Sequence, residues 1–592
     1  MNKLVEGLTK PGNLLQRGTT ANGAVTLTTT GSELVDYFGV CGAARNMDEG
    51  DLISTFVSAY GADALDAMKI LFFSRDIRGG AGERETFRKL LHFIANDETR
   101  RESLRKNLAL VPHFGRWDDL FVLIGTPLES DVVDIIYKQL WDDCGAINYN
   151  RARDKKGRSH VIDCLIAEGN EDPSEEEIEA NLVPRQEISL LAKWMPSNNT
   201  SSKATRRLAG KLGRLLQAKV DANNKANHNP RTKVSVIEDW SFTPAEYRKT
   251  LSYIRKEINL LERKLSAGKW AEVDYSKIPS KAGMLYRKAF FKRDGERYQA
   301  FMDEVAKGKV TVNAGALHPH EIIQKVRTLN PDSRSWYYEV DTTAAISDEE
   351  LAQERLVLNN YWENLAEVLL GMLSDESTIV VADTSGSMEI PVGPKSKATC
   401  LDVSIGLAIL FSEKLGGPFR DRFISFSSSP TLEEVTGEDI YEKYHNVKPL
   451  IENTDIQKVF DLILETGVRN SVPADDMPRR VLIISDMEFD DAQSYTPSWN
   501  ASSGIDDKFG KTNLEALKEK YQESSYDLPE LVFWNVNGRP DNMPMSISDD
   551  GTCMVSGYSP AIYQSVLKAE VITPADVMRA AIDDERYDCV EA

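Results

Sequence analysis

Asp383-Thr384-Ser385-Gly386-Ser387 gathers one carboxylate and two serine hydroxyls directly behind the apolar run Thr378-Ile379-Val380-Val381-Ala382. All are hard oxygen donors. Magnesium and manganese prefer such donors in octahedral geometry and often keep water or take a ligand from a partner, so a loop this sparse leaves coordination positions open. The expected chemistry is cation binding. The apolar run reads as a buried parallel strand, and open α/β sheets keep their ligand sites beyond the carboxyl ends of such strands.

The Asp-x-Ser-x-Ser pattern resembles the metal-ion-dependent adhesion site of von Willebrand A domains. That resemblance implies two further groups: a threonine from a second loop at the start of a helix, and an aspartate after a later central strand. Asn453-Thr454-Asp455 opens the helical pattern Ile456, Val459, Phe460, Ile463, Leu464, and Val481-Leu482-Ile483-Ile484-Ser485 runs into Asp486. The implied ligand set is Asp383, Ser385, Ser387, Thr454 and Asp486 around Mg²⁺ (or Mn²⁺). Two catalytic readings of the loop fail on detail. A haloacid-dehalogenase phosphatase needs a second aspartate where Ser385 stands, and an aspartic protease needs Asp-Thr-Gly, whereas Ser385 precedes Gly386.

At 592 residues the chain exceeds a single core and should hold two or three domains. The 41% hydrophobic fraction suffices for globular packing. No window approaches the roughly 20 apolar residues of a membrane span. The amino terminus lacks the apolar core of a signal peptide. The 6 cysteines are dispersed without a CxxC pair, so neither a zinc cluster nor a disulfide framework is indicated. A cytoplasmic protein in a reducing compartment, with no membrane partner, is the expectation.

Net charge is −21, and residues 370–592, with 39 acidic against 19 basic side chains, carry nearly all of it. The remainder is almost neutral but locally basic. Lys193 to Lys219 holds seven cationic and no acidic residues, and Arg248 to Arg297 holds 14 basic against 6 acidic. Screening confines each patch's reach to about 10 Å, so such an excess can attract a polyanion on an acidic molecule. A solvated helix face is the competing reading.

Residues 1–45, rich in Gly, Thr and Asn, read as an arm that settles into structure near Leu34-Val35-Asp36-Tyr37-Phe38. From 46 to 340 the periodicity is helical, as in Leu65, Met68, Phe72 and Ile254, Ile258, Leu261, Leu265. Two interruptions read as loops: an acidic insertion at about 168–184 and the Asn-rich stretch Asp221 to Pro230. Successive helices without alternating strands predict an all-α solenoid or bundle. A linker helix at 341–369, with Tyr361, Trp362, Leu365 and Leu369, leads into an α/β doubly wound domain at 370–592. Strands are expected there at 378–382, 422–426, 481–485, 531–536 and 552–555, and helices near 402–415, 454–466, 513–524 and 560–570.

Three stretches of the helical region carry further chemistry. Ser74-Arg75-Asp76-Ile77-Arg78-Gly79-Gly80-Ala81-Gly82-Glu83-Arg84 offers arginine forks on a glycine-freed backbone, suited to RNA phosphate, or else forms an inter-helix turn whose charges pair internally. Gly115-Arg116-Trp117-Asp118-Asp119-Leu120 reads as a carboxylate-capped helix start with Trp117 packed inward. His318-Pro319-His320 reads as a structured turn rather than a metal pair.

The phrases LVDYFGVCGAARN from Leu34, SRDIRGGAGER from Ser74, GRWDDL from Gly115, YRKTLSYIRKEINLLE from Tyr247, IPSKAGMLYRKAF from Ile278, ALHPHEII from Ala316 and MVSGYSPAIYQSVL from Met554 resemble a large family known chiefly as a domain of unknown function. It occurs in phages, plants and fungi and carries a von Willebrand A part at its carboxyl end. More distantly, the plan is similar to the TROVE module of the Ro autoantigen, in which HEAT-like helices close into a ring whose basic surface binds small structured RNA and single-stranded RNA ends. Two departures stand against that likeness: the insertion near 171–184 and the strongly negative net charge.

The resemblance implies a non-catalytic, RNA-binding ribonucleoprotein. Arg75, Arg78, Arg84, Arg206, Arg207, Lys211, Arg214, Arg255 and Arg287 are the candidate phosphate contacts, with Tyr247, Tyr253 and Tyr286 as candidate stacking residues. The alternative is a protein-interaction scaffold, in which a partner's carboxylate completes the metal's coordination sphere. No P-loop, GxSxG elbow or HExxH motif argues for catalysis.

Overall fold

The computed structural model describes residues 17–167, 170, 172–226, 241–329, 347–370, 377–414, 417–426, 429–447, 455–490, 511–569 and 571–592. They form two compact units, Met1–Leu90 with Asp274–Ala592, and Leu91–Val273. These units cut across the linear boundaries that periodicity suggests.

The discontinuous unit is built on a six-stranded sheet. Its strands are β3 (Thr378–Asp383), β4 (Arg422–Phe426), β5 (Thr431–Glu434), β6 (Arg480–Ser485), β7 (Glu530–Asn535) and β8 (Thr552–Ser556), in the order β5-β4-β3-β6-β7-β8. All neighbours are parallel except the antiparallel edge strand β5. The long apolar runs of β3 and β6 follow from their central position, since every residue of both is buried. Successive side chains of a strand face opposite ways, and both faces of β7 are covered. Trp534 meets Phe411 of the helix Cys400–Lys414 at 5.5 Å, while its neighbour Phe533 meets Phe489 at 6.3 Å and shares a small cavity with Ile456, Leu514 and Leu517.

The segment expected to be an arm is part of this unit. Its residues 1–16 lie outside the described ones, but the hairpin strands β1 (Arg17–Thr19) and β2 (Val25–Leu27) tie to the sheet domain through Leu27, which exchanges backbone hydrogen bonds with Met543 at 3.1 and 2.8 Å. The helix Glu33–Cys41 then docks on β8: the amide of Gly42 donates to Ser556 Oγ at 2.9 Å. These ties are backbone contacts distant in sequence, which residue periodicity does not register.

Nearer the middle of the chain, the helix Pro319–Leu329 packs on Cys400–Lys414, where a Cβ on Gly406 would lie 3.1 Å from Ile323. Arg327 clamps Asp402 with two hydrogen bonds of 2.9 and 3.0 Å. The helix Asp348–Leu370 corresponds to the expected linker; residues 341–346 lie outside the described ones.

The unit Leu91–Val273 is helical. Its longest helices are Glu129–Ala152, which continues through a π turn at Arg153–Gly157, and Lys203–Ala226. The Asn-rich interruption is therefore helical as far as Ala226, while 227–230 fall outside the described residues. Within the insertion, residues 168, 169 and 171 are likewise outside, and Glu175, Glu176 and Glu177 open a helix. Ser174 and Glu177 form a reciprocal capping box for the helix Glu175–Asn181, and acidic side chains favour the positive end of a helix dipole. Arg153 secures that helix through Glu179 at 2.6 Å.

Asp119 caps its turn as expected, accepting from the Arg116 amide at 2.9 Å, although the turn is 3₁₀ and Trp117 is only partly buried. No helix among the described residues is long and apolar enough to cross a membrane.

Candidate metal centre

The chain passes from β3 outward to β4 and β5, then returns to the other side of β3 as β6. This reversal opens a crevice at the carboxyl ends of β3 and β6, the usual ligand position of an open α/β sheet. Asp383 ends β3 and Asp486 follows β6 by one residue, so the topology brings the two carboxylates together.

Asp383 is fully buried; one oxygen accepts from Ser485 Oγ at 2.5 Å and the other from the Ser385 amide at 2.9 Å. Ser385 Oγ lies 3.0 Å from Ser387 Oγ, and Ser387 Oγ donates to Asp486 Oδ1 at 3.4 Å. The two serines thus link the acids, through the Ser385 amide at Asp383 and through the hydroxyl pair at Asp486. The second oxygen of Asp486 is buried and accepts no hydrogen bond among the described residues. Burial, and then the charge of Asp486, raises the Asp383 carboxyl above its ordinary range. Asp486 is also raised by burial, against the opposing effect of Arg539.

Buried carboxylates that repel one another favour a cation between them. Among the described residues no three His, Cys, Asp or Glu side chains form a metal cluster. The donor set here is instead two carboxylates and two hydroxyls, which suits Mg²⁺ or Mn²⁺. Thr454 lies outside the described residues. The helix after it starts at Ile456, capped by Asp455, whose side chain accepts from the Lys458 amide at 3.3 Å.

Three neighbours escape the sequence reading: Ser485, Glu488 and Arg539. Glu488, nearly as buried as Asp486, accepts from Arg539 Nη1 at 2.9 Å, and Arg539 Nη2 stands 3.5 Å from Asp486 Oδ2. The available signal was the polar string Asn535-Val536-Asn537-Gly538-Arg539, which leaves the carboxyl end of β7 at the same sheet edge.

The candidate RNA contacts fall in both units. In the discontinuous unit, Arg75 is 1% exposed and so presents no fork to solvent, Arg78 is exposed and Arg84 is half-buried. Arg287 is buried and donates to Glu354 Oε2 at 2.7 Å and Met284 O at 2.6 Å. In the helical unit, Arg255 donates to the carbonyls of Ala192 and Met195 at 2.7 Å, which fixes a chain crossing. Lys211 pairs with Glu129 and Arg206 caps the carbonyls of Thr200 and Ser201. Arg207 and Arg214 are exposed.

Tyr247 is buried with its hydroxyl on Pro196 O, and Tyr253 lies under the Arg151 guanidinium at 4.8 Å, while Tyr286 is half-buried. The glycine-rich segment is an inter-helix turn whose acids pair outside it, Asp76 with Arg586 and Glu83 with Arg45. His318 and His320 stack at 5.5 Å with their planes 8° apart, at the start of Pro319–Leu329.

Residues 128–371 match the family model described as domain of unknown function DUF2828, and residues 377–590 match that described as domain of unknown function DUF7788. An uncharacterized protein of Acanthamoeba polyphaga mimivirus is 24% identical over 588 residues, spanning 94% of this chain and 86% of its own length.

Proposed function

We propose that the α/β unit is a von Willebrand A-type domain that binds a divalent cation and, through it, a carboxylate of a protein partner. Asp383, Ser385, Ser387 and Asp486 would hold the ion. The bound Mg²⁺ or Mn²⁺ supplies a Lewis-acidic position for an incoming oxygen. Asp383 is oriented by Ser485 and the Ser385 amide, and the serine pair relays from one acid to the other. The observation that carries this reading is the buried Asp486 oxygen without a hydrogen bond, beside a second buried acid. A buried charge is costly unless a cation offsets it, and Arg539, 3.5 Å from that oxygen, does so only in part. No step of covalent chemistry is invoked.

Water-proton relaxation with Mn²⁺ tests the reading. A bound ion with open, water-filled positions should enhance relaxation, and an acidic peptide should reduce the enhancement. The double variant Ser385→Ala, Ser387→Ala should show neither effect. Unchanged enhancement in that variant would contradict the assignment.

A second reading, RNA binding by the helical unit in a TROVE-like manner, is favoured by one observation. Lys203, Arg207 and Arg214 are exposed on the helix Lys203–Ala226 at steps that share a face, and no ion pair engages them among the described residues. Phosphate contacts from such a stripe would weaken steeply with salt. In this reading RNA and protein partner use different units of a non-catalytic binding protein.

A further inference from the structure

Arg539 stands at the mouth of the metal centre on the loop between β7 and β8, with its side chain 36% exposed. Its guanidinium serves two acids that are almost completely buried, Asp486 and Glu488. The contacts are unequal. The one to Glu488 Oε1 is a short ion pair of 2.9 Å, whereas the one to Asp486 Oδ2 is 3.5 Å, beyond good hydrogen-bond geometry. Glu488 is held independently, accepting from the Ala21 amide at 2.5 Å and Asn542 Nδ2 at 3.1 Å. Between the two acids Met487 adopts a φ of 65°, a left-handed conformation that costs a non-glycine residue strain. The backbone therefore tolerates strain where it sets both carboxylates beside one arginine.

Resting on the metal-site reading above, we infer that Arg539 is the resident counter-cation of the centre, competing with the divalent ion for Asp486 and setting its affinity. Without metal, the guanidinium partly neutralises Asp486. A divalent ion held directly by Asp486 would outcompete a singly charged guanidinium that stands 3.5 Å from that carboxylate. Arg539 then gives up Asp486 and stays tethered to Glu488. The centre is thus a threshold device: it opens to the ion only where free metal is abundant enough to displace an internal cation. It also keeps the metal-free fold from carrying two uncompensated buried acids.

Calorimetric Mn²⁺ titration and thermal unfolding of the full chain test this inference on wild type, Arg539→Ala, Arg539→Lys and Asp486→Ala. Arg539→Ala should bind Mn²⁺ about tenfold more tightly. Its metal-free form should unfold at a lower temperature than wild type, with most of the deficit recovered at saturating Mn²⁺. Arg539→Lys, which keeps the charge, should stay close to wild type in affinity. If Arg539→Ala precipitates, Arg539→Met keeps the apolar stem and takes its place. Equal or weaker affinity in Arg539→Ala, with uptake abolished in Asp486→Ala, would overturn the role of Arg539 and leave the metal site standing. Absence of uptake in both wild type and Arg539→Ala would remove the site itself and this inference with it.

Discussion

His318 and His320 show at single-residue scale how burial creates a pH response. Burial, then the charge of Lys281, pushes the His318 imidazole down to about 4 from its usual 6.5, and burial beside His318 pushes His320 well below it. The unfolded chain takes up a proton on each ring as the pH falls through 6.5, while in the folded chain His318 resists until about 4 and His320 also stays neutral well below 6.5. Stability is therefore full above 6.5 and falls as the pH drops below it, the part due to His318 being lost by about 4. Glu321 acts in the same direction at lower pH: burial raises its carboxyl, but Lys281 and the two histidines outweigh it and hold it at about 2, so its contribution is lost between 4.5 and about 2. The unfolding free energy from urea titrations should fall between pH 7 and pH 5 by on the order of 1–3 kcal/mol, and His318→Gln should flatten that dependence. A profile unchanged by the substitution would refute this origin. The same scale explains what could be read in advance. Asp383, Ser385 and Ser387 are neighbours along one loop, so covalent spacing displays them. Glu488 and Arg539 meet only because β6 and β7 pair side by side, a fact of register that no local motif carries.

At the scale of elements, continuous apolar runs made β3, β4, β6, β7 and β8 legible to within a residue or two. The edge strand β5 was not, because Thr431–Glu434 is largely exposed and shows no apolar alternation. The N-terminal helix was seen only as a settling point, since its place against β8 is set by close backbone approach rather than by pattern. Gly42 carries that approach: a Cβ there would lie 2.0 Å from the carbonyl oxygen of Ser556. Gly42→Ala should destabilise the discontinuous unit by about 1–3 kcal/mol or prevent docking of Glu33–Cys41, read out by urea unfolding and amide exchange along that helix. Unchanged protection there would mean the contact is not what holds the helix. For the helical unit, charge reversal at Lys203, Arg207 and Arg214 should abolish salt-sensitive binding of single-stranded RNA in a filter assay. Wild-type retention of RNA by that triple variant would exclude this helix as the contact.

For the whole molecule, the sheet domain is completed by residues far from it in sequence. Residues 17–42 pair with or cover its strands, so a fragment limited to 377–590 would expose β8 and lose the ties at Met543 and Ser556. Such a fragment should aggregate, while one that adds the N-terminal segment in trans should recover solubility. Acidic charge gathered in residues 370–592 gives this part a field that concentrates cations, while the remainder is nearly neutral. The most direct measurement is isothermal titration of the full chain with Mg²⁺ and Mn²⁺, alongside Asp383→Ala. The account predicts saturable uptake of one ion per chain by wild type and none by the variant. Heat traces indistinguishable between the two, or no saturable uptake by wild type, would contradict it.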